Sequence, residues 1–140
     1  MNLIATYPDA GVLIAANRGD DQLAGKAKFI LDDPERIFLA SPFLRLEVVP
    51  QAIHNKRSAE VSFYEAFFSL VTRWAEVTER RLQTALELAS TYGLGAMDSL
   101  HVAAAMSLGV DEFITTEKIE KPIHRVVGLK IIRLQIASSR

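Results

Sequence analysis

The 140-residue chain contains no cysteine, which excludes disulfides, a thiol nucleophile and a thiolate metal site. It has no uninterrupted apolar run of about 18 residues, the length that a membrane-spanning helix needs. Residues 1–9 lack the basic segment and the long apolar run of a secretory signal. From these absences we expect a cytoplasmic protein without membrane contact.

Strong charge of either sign is also missing, because 16 basic and 17 acidic residues give a net charge of -1. The chain as a whole therefore does not attract nucleic acid, and a polyanionic substrate would need local basic side chains or a metal ion. Gly93-Leu94-Gly95 is not a dinucleotide fingerprint, since it follows a predicted helix and Asp98 occupies the third glycine position. The length and the apolar fraction of 49% predict one folded domain over residues 1–140.

Short apolar runs alternate with helical patterns along the chain. The apolar runs predict strands over residues 3–7, 36–40 and 74–77, a strand ending at Thr115, and one or two more within residues 126–136. Capping residues and helical spacing predict helices over residues 10–17, 20–31, 42–54 with a kink at Pro50, 58–73, 79–92 and 98–108. This alternation predicts an α/β fold, a three-layer α/β/α sandwich with a central parallel sheet of four or five strands.

Apolar residues at helical spacing also predict which helix faces point inward. In the third helix, one face carries Leu46, Val49 and Ile53. In the fifth helix, the predicted inward positions are Leu82, Ala85, Leu86 and Ala89. The fourth helix and the residues after it carry more aromatic side chains than one core-facing stripe needs, namely Phe63, Tyr64, Phe67, Phe68 and Trp74. The surplus indicates a contact outside the domain core.

Four carboxylates fall close to the predicted strand ends. Asp9 follows the first strand, Glu47 lies in the first turns of the helix after the second strand, Asp98 begins the helix before the fourth strand, and Glu117 follows the fourth strand. Right-handed crossovers place parallel strand ends at one edge of the sheet, so all four side chains can reach the edge where ligands bind. Singly, each has an ordinary alternative as a helix N-cap or a solvated surface charge.

Segments around these acids resemble the motifs of the PIN domain family, and the resemblance covers nearly the whole chain. They are residues 7–15 (Tyr-Pro-Asp-Ala-Gly-Val-Leu-Ile-Ala), 41–47 (Ser-Pro-Phe-Leu-Arg-Leu-Glu), 96–105 (Ala-Met-Asp-Ser-Leu-His-Val-Ala-Ala-Ala) and 114–117 (Ile-Thr-Thr-Glu). The third is the most specific. The resemblance implies a metal-dependent endoribonuclease similar to the VapC-like toxins of bacterial toxin-antitoxin pairs. It also implies an RNA substrate, a cognate antitoxin protein as partner, and a homodimer.

The chemistry of the four acids favours a metal site. Unpaired anions that are brought together repel and raise one another's pKa unless a cation neutralises them. Without cysteine or clustered histidine, oxygen ligands suit Mg²⁺ or Mn²⁺. We expect Asp9 and Asp98 to be the principal metal ligands, with Glu47 and Glu117 completing the catalytic site directly or through water. A structural or polar role is expected for His101, three residues after Asp98.

Two other functions remain open at this point. Ala10 and Gly11 offer no side-chain donor where the family often places Asn, Ser or Thr, and Glu117 stands where Asp is usual. These departures favour a catalytically impaired module of the same fold that binds RNA or protein. The second alternative is another Mg²⁺-dependent phosphohydrolase acting on a small phosphate ester. Haloacid dehalogenase-like enzymes usually need Asp-x-Asp, and the second Asp is missing after Asp9.

Overall fold

The computed structural model describes residues 2–19 and 21–135, and a parallel sheet of five strands forms its centre. The strands are β1 (Ile4–Pro8), β2 (Arg36–Ala40), β3 (Arg73–Trp74), β4 (Glu112–Thr115) and β5 (Ile131–Arg133). Their order across the sheet is β3-β2-β1-β4-β5, and every neighbouring pair is parallel. All strand carboxyl ends therefore lie along one edge.

Six α-helices connect the strands within the described residues. They are α1 (Ala10–Arg18), α2 (Gln22–Leu31), α3 (Pro42–His54), α4 (Ser58–Ser69), α5 (Glu79–Tyr92) and α6 (Ala96–Leu108), and a short 3₁₀ helix spans Pro122–Arg125. Backbone amides at the starts of α2, α3 and α5 are capped by the side chains of Asp21, Ser41 and Thr78. Glycines with positive φ, Gly93 and Gly109, end α5 and α6.

The two faces of the sheet are covered by different helices, because successive strand residues point to opposite faces. Leu39 and Phe113 pack with α6 residues such as Val102 on one face. Their neighbours Phe38 and Ile114 pack on the other face, against α3 and α4 and against α1 and α2 respectively. The predicted three-layer α/β/α sandwich is confirmed.

The predicted fourth helix is four residues too long. It ends at Ser69 because the chain then turns to pair with β2: Thr72 N–H donates to the Phe38 carbonyl and Ala75 N–H to the Ala40 carbonyl, both at 2.9 Å. Trp74 consequently lies on the edge strand β3, where 39% of it is exposed. It packs on Phe68 at a ring-centroid distance of 5.5 Å.

Two of the predicted inward helix faces are wrong in part. Leu46 and Ile53 of α3 are 66% and 58% exposed, and Leu82 and Leu86 of α5 are exposed as well. The buried residues of α3 are Leu44, Val48, Val49 and Ala52. Apolar side chains occur on all sides of α3, so its periodicity does not determine which stripe packs inward. The helix also continues past Pro50 to His54.

The C-terminal segment differs from its prediction in extent. The strand β5 covers Ile131–Arg133, while Val126 and Val127 form no strand. Ile136, the predicted end of the strand, lies outside the described residues. The longest helix in the described part of the chain has 14 residues, and none combines the length and apolarity needed to cross a bilayer.

The N-cap of α5 provides a test of the local structure. Thr78→Ala should lower the free energy of unfolding by about 1 kcal/mol, because Arg81 N–H then loses its 3.2 Å hydrogen bond to Thr78 Oγ1. Urea denaturation measures the change. Thr91→Ala, the same replacement at an exposed position in the last turn of α5, is the control and should stay within about 0.5 kcal/mol of the parent. Equal losses in both variants would contradict the capping role.

Candidate active site

All four predicted acids lie on elements that begin or end at the carboxyl edge of the sheet. Asp9 directly follows β1, and Glu117 is the second residue after β4. Glu47 is on α3, which starts right after β2, and Asp98 is in the first turn of α6. Their charges act on one another: Asp98 raises the pKa of Asp9, and both Glu117 and Glu47 raise the pKa of Asp98. The structure therefore brings the four carboxylates into one electrostatic group.

The Asp9 carboxylate is held on both oxygens. Its Oδ1 accepts from Val12 N–H at 3.2 Å, so Asp9 is the N-cap of α1, and its Oδ2 accepts from Thr115 Oγ1 at 2.5 Å. Only 6% of the residue is exposed, and burial raises its pKa to about 7. The hydrogen bonds from Thr115 and Val12 and the nearby His101 oppose that rise without cancelling it. Asp9 thus combines the capping role with a poorly compensated buried charge.

Asp98 does not cap α6, contrary to the prediction that it begins the helix. The helix starts at Ala96 with Gly95 at the N-cap, so Asp98 is its third residue. Within residues 2–19 and 21–135, its carboxylate makes no hydrogen bond or ion pair. Burial and the charge of Glu117 raise its pKa, and His101 and Lys121 lower it less. A half-buried carboxylate without a partner is a strong candidate for a metal ligand.

Glu47 is fixed by His101, a contact that the sequence did not predict. His101 is only 2% exposed, and its Nε2 lies 2.7 Å from Glu47 Oε1. Its Nδ1 lies 2.8 Å from the Tyr7 hydroxyl, which in turn lies 2.7 Å from Ser41 Oγ. The contact with the Glu47 carboxylate places a proton on Nε2, which donates, and in the uncharged tautomer Nδ1 accepts from the Tyr7 hydroxyl. A chain of hydrogen bonds therefore runs from the buried Ser41 through Tyr7 and His101 to the exposed Glu47.

Tyr7 holds this chain in the core between two aromatic neighbours. Its ring stacks on Phe113 with centroids 5.4 Å apart and is tilted against the imidazole of His101 at 5.8 Å. Burial raises the pKa of Tyr7, which keeps its hydroxyl protonated and able to donate. The one available sequence signal was the position of His101, one helical turn after Asp98. Nothing in the sequence connected it with Tyr7 or Glu47.

The backbone of Glu117 is fixed by three contacts, while its side chain stays free of hydrogen bonds to the described residues. Glu117 N–H donates to Thr115 Oγ1 at 3.0 Å, so one hydroxyl contacts both Asp9 and Glu117. The Glu117 carbonyl accepts from Arg133 Nε at 3.1 Å and lies 3.0 Å from His124 Nε2. These contacts hold the half-buried Glu117 near Asp98.

The donor set fits a hard divalent cation. Asp9, Asp98 and Glu117 form no salt bridge in the described part of the chain, and burial and mutual repulsion raise the pKa of both aspartates. Within residues 2–19 and 21–135, no three or more His, Asp or Glu side chains lie close enough together to hold an ion as a preformed cluster. The oxygen donors suit Mg²⁺, which usually binds through one or two carboxylates and keeps several waters. Asp9 and Asp98 both have a raised pKa, so their chemistry fits the binding of a cation.

Known proteins share this architecture. The chain is similar to chains in the VapBC2 complex of Rickettsia felis bound to promoter DNA (TM-score 0.70, 14% identity, covering 94% of this chain and 100% of that chain). It is also similar to a toxin-antitoxin complex from Klebsiella pneumoniae (TM-score 0.71, 17% identity, 93% and 98%). A third similar structure is Mycobacterium tuberculosis VapC20, a sarcin-ricin loop cleaving toxin (TM-score 0.63, 19% identity, 77% and 86%).

These structural likenesses establish the fold, and the family follows from sequence. No curated protein matches the chain by sequence. The model of the PIN domain family, however, matches residues 6–122, which include all four acids, the last three residues of β1 and the strands β2 to β4. The chain therefore belongs to the PIN domain family.

Proposed function

We propose that the protein is a metal-dependent endoribonuclease that hydrolyses RNA phosphodiester bonds, with residues 1–140 forming one PIN domain. The observation that carries the proposal is the group of four carboxylates at the carboxyl edge of the sheet, in which burial raises the pKa of Asp9 and Asp98 and neither aspartate forms a salt bridge within residues 2–19 and 21–135. Membership of the PIN domain family supports nuclease chemistry at this group.

Each acid has a separate role in this proposal. Asp9 and Asp98 would hold Mg²⁺ or Mn²⁺ directly, and Glu47 and Glu117 would complete the site directly or through water. The ion would supply the positive charge that activates water for in-line attack and stabilises the phosphoryl oxygens. The chain's own contribution is orientation: Thr115 fixes Asp9, and His101 fixes Glu47. Hydrogen bonds to metal-binding carboxylates normally determine how precisely the ligands and the bound waters are oriented.

We also propose that the protein is the toxin of a toxin-antitoxin pair, that it forms a homodimer, and that a cognate antitoxin protein inhibits it. The similar folds in the VapBC2 and Klebsiella pneumoniae complexes support this role. A surface groove of about 410 Å³ offers apolar area to another chain, and it is lined by Pro42, Arg45, Leu46, Val49, Pro50 and Trp74. Co-purification with the product of a neighbouring reading frame, and loss of RNA cleavage in that complex, would test the pairing.

An RNA cleavage assay tests the nuclease proposal. The parent should cleave single-stranded RNA with Mg²⁺ or Mn²⁺ and lose that activity in EDTA. Asp98→Asn should reduce cleavage at least about 1,000-fold, because it removes a charged ligand without adding bulk. Asp32→Asn, an exposed aspartate at the end of α2, is the matched control and should cleave like the parent.

Two results of this assay would contradict the proposal. Cleavage that persists in EDTA would separate the activity from a metal. A folded parent that binds RNA but cleaves none with either ion would favour the catalytically impaired module instead.

A further inference from the structure

Gly11 and Thr116 compete for one small space beside the Asp9 carboxylate. A Cβ atom added to Gly11 would lie 2.1 Å from Thr116 Oγ1 and 3.3 Å from Asp9 Oδ1. The first distance is far below van der Waals contact, so no side chain fits at residue 11 while the Thr116 hydroxyl is in place. The space beside Asp9 Oδ1 is therefore occupied by a hydroxyl that comes from the end of β4.

The Thr116 hydroxyl has unused hydrogen-bonding capacity. Its neighbour Thr115 has already used its hydroxyl proton, since Thr115 Oγ1 donates to Asp9 Oδ2 and also accepts from Glu117 N–H. Thr116 is only half-buried, and its hydroxyl makes no hydrogen bond to any residue within 2–19 and 21–135. One threonine thus orients the acid, and the next offers a free donor and acceptor beside it.

We propose that Thr116 is a positioning residue of the metal site, and that Gly11 is required because it leaves room for the Thr116 hydroxyl. The hydroxyl supplies from β4 the polar group that Ala10 and Gly11 lack on α1. It hydrogen-bonds the water shell of the ion held by Asp9 and thereby strengthens ion binding. This inference rests on the proposed metal-dependent function.

The same geometry removes an apparent defect of the site. Ala10 and Gly11 suggested an impaired site because neither carries a polar side chain. Because the Thr116 hydroxyl occupies the space where a side chain of residue 11 would lie, residue 11 must be a glycine. A serine hydroxyl at residue 11 and the Thr116 hydroxyl would occupy the same space, so the site holds one or the other.

Mn²⁺ titration calorimetry of the whole protein tests the inference. Thr116→Val keeps the shape and removes the hydroxyl, and it should weaken Mn²⁺ binding about 10-fold. Thr116→Ser keeps the hydroxyl and should bind like the parent. Gly11→Ala should weaken binding to a similar extent, because its Cβ displaces the Thr116 hydroxyl. The double variant Gly11→Ala with Thr116→Ala should bind no more weakly than Thr116→Ala alone, since alanine at residue 116 leaves room for the added Cβ and the hydroxyl is already absent.

A relocated hydroxyl provides the sharpest comparison. Gly11→Ser combined with Thr116→Ala opens the space at β4 and places a hydroxyl on α1, and it should recover most of the affinity that Thr116→Ala loses. Thermal unfolding of each metal-free variant separates loss of fold from loss of binding. If Gly11→Ala does not fold, the difference in Mn²⁺ affinity between Thr116→Val and Thr116→Ser tests the inference by itself.

The possible failures are distinguishable with Asp98→Asn as the reference. If Asp98→Asn abolishes Mn²⁺ binding while Thr116→Val binds like the parent, this inference is wrong and the proposed function stands. If the parent binds no Mn²⁺, or Asp98→Asn binds it unchanged, the metal site and this inference fall together.

Discussion

Asp9→Asn is expected to abolish RNA cleavage while it raises the stability of the metal-free protein at pH 8. Burial raises the pKa of Asp9 from its ordinary 3.8 to about 7, so folding favours the protonated form. Each pH unit between those values costs the folded state about 1.4 kcal/mol, so the fully charged group destabilises the fold by about 4 kcal/mol. Asparagine removes that charge but keeps only one acceptor oxygen for Val12 and Thr115. We expect a net gain of about 1–3 kcal/mol.

The pH dependence follows from the direction of the shift. Because the pKa of Asp9 is higher in the folded than in the unfolded state, protonation of Asp9 stabilises the fold. This stabilisation is fully present below about pH 4 and is lost as the pH rises through about 7. The stability of the parent relative to Asp9→Asn should therefore fall between about pH 4 and pH 7 and level off above pH 8. Urea unfolding in EDTA at several pH values measures this difference. Parallel curves for the two proteins would contradict a buried, uncompensated Asp9, and Asp32→Asn serves as the exposed control.

His101→Ala is expected to reduce both stability and cleavage. It leaves a cavity in the core and removes the partner of the Tyr7 hydroxyl, which should cost about 2–4 kcal/mol of unfolding free energy. Glu47 then loses the 2.7 Å contact that holds it, and cleavage by the folded protein should drop about 10- to 100-fold. His54→Ala, at the exposed end of α3, is the control and should change stability by no more than about 0.5 kcal/mol.

Tyr7→Phe separates the structural role of His101 from its positioning role. This variant removes the hydroxyl between Ser41 and His101 but keeps the contact between His101 and Glu47. It should lose about 1–2 kcal/mol of stability and keep near-parental cleavage per folded molecule. If His101→Ala and Tyr7→Phe each lose cleavage only in proportion to their loss of stability, His101 does not act through Glu47.

Local signals in the sequence were sufficient for several elements. The strand β2 was predicted at Arg36–Ala40 because Pro34 precedes it and Ser41-Pro42 starts the next helix. The helix α5 was equally well defined, by a threonine cap at its start and a glycine at its end. Errors arose where a distant segment decides the outcome. The helix α4 ends early because backbone amides after Ser69 pair with β2, which no local pattern indicates.

The candidate site was predictable in its acids but not in their support. The order of Asp9, Glu47, Asp98 and Glu117 along an alternating chain places all four at one sheet edge. Their hydrogen-bond partners are distant in sequence: His101 reaches back 54 residues to Glu47, and Thr115 reaches back 106 residues to Asp9. Such contacts depend on the packed sheet. The close approach of Thr116 to Gly11 likewise exists only once β4 lies beside β1.

We propose above all that Asp9 and Asp98 together bind a divalent cation at the carboxyl edge of the sheet. Anomalous diffraction from crystals grown with Mn²⁺ tests it most directly. We expect a peak about 2 Å from a carboxylate oxygen of each aspartate, with Glu47 and Glu117 nearby directly or through water. The peak should disappear in crystals of Asp98→Asn. A peak elsewhere on the surface, or none at this edge at saturating Mn²⁺, would contradict it.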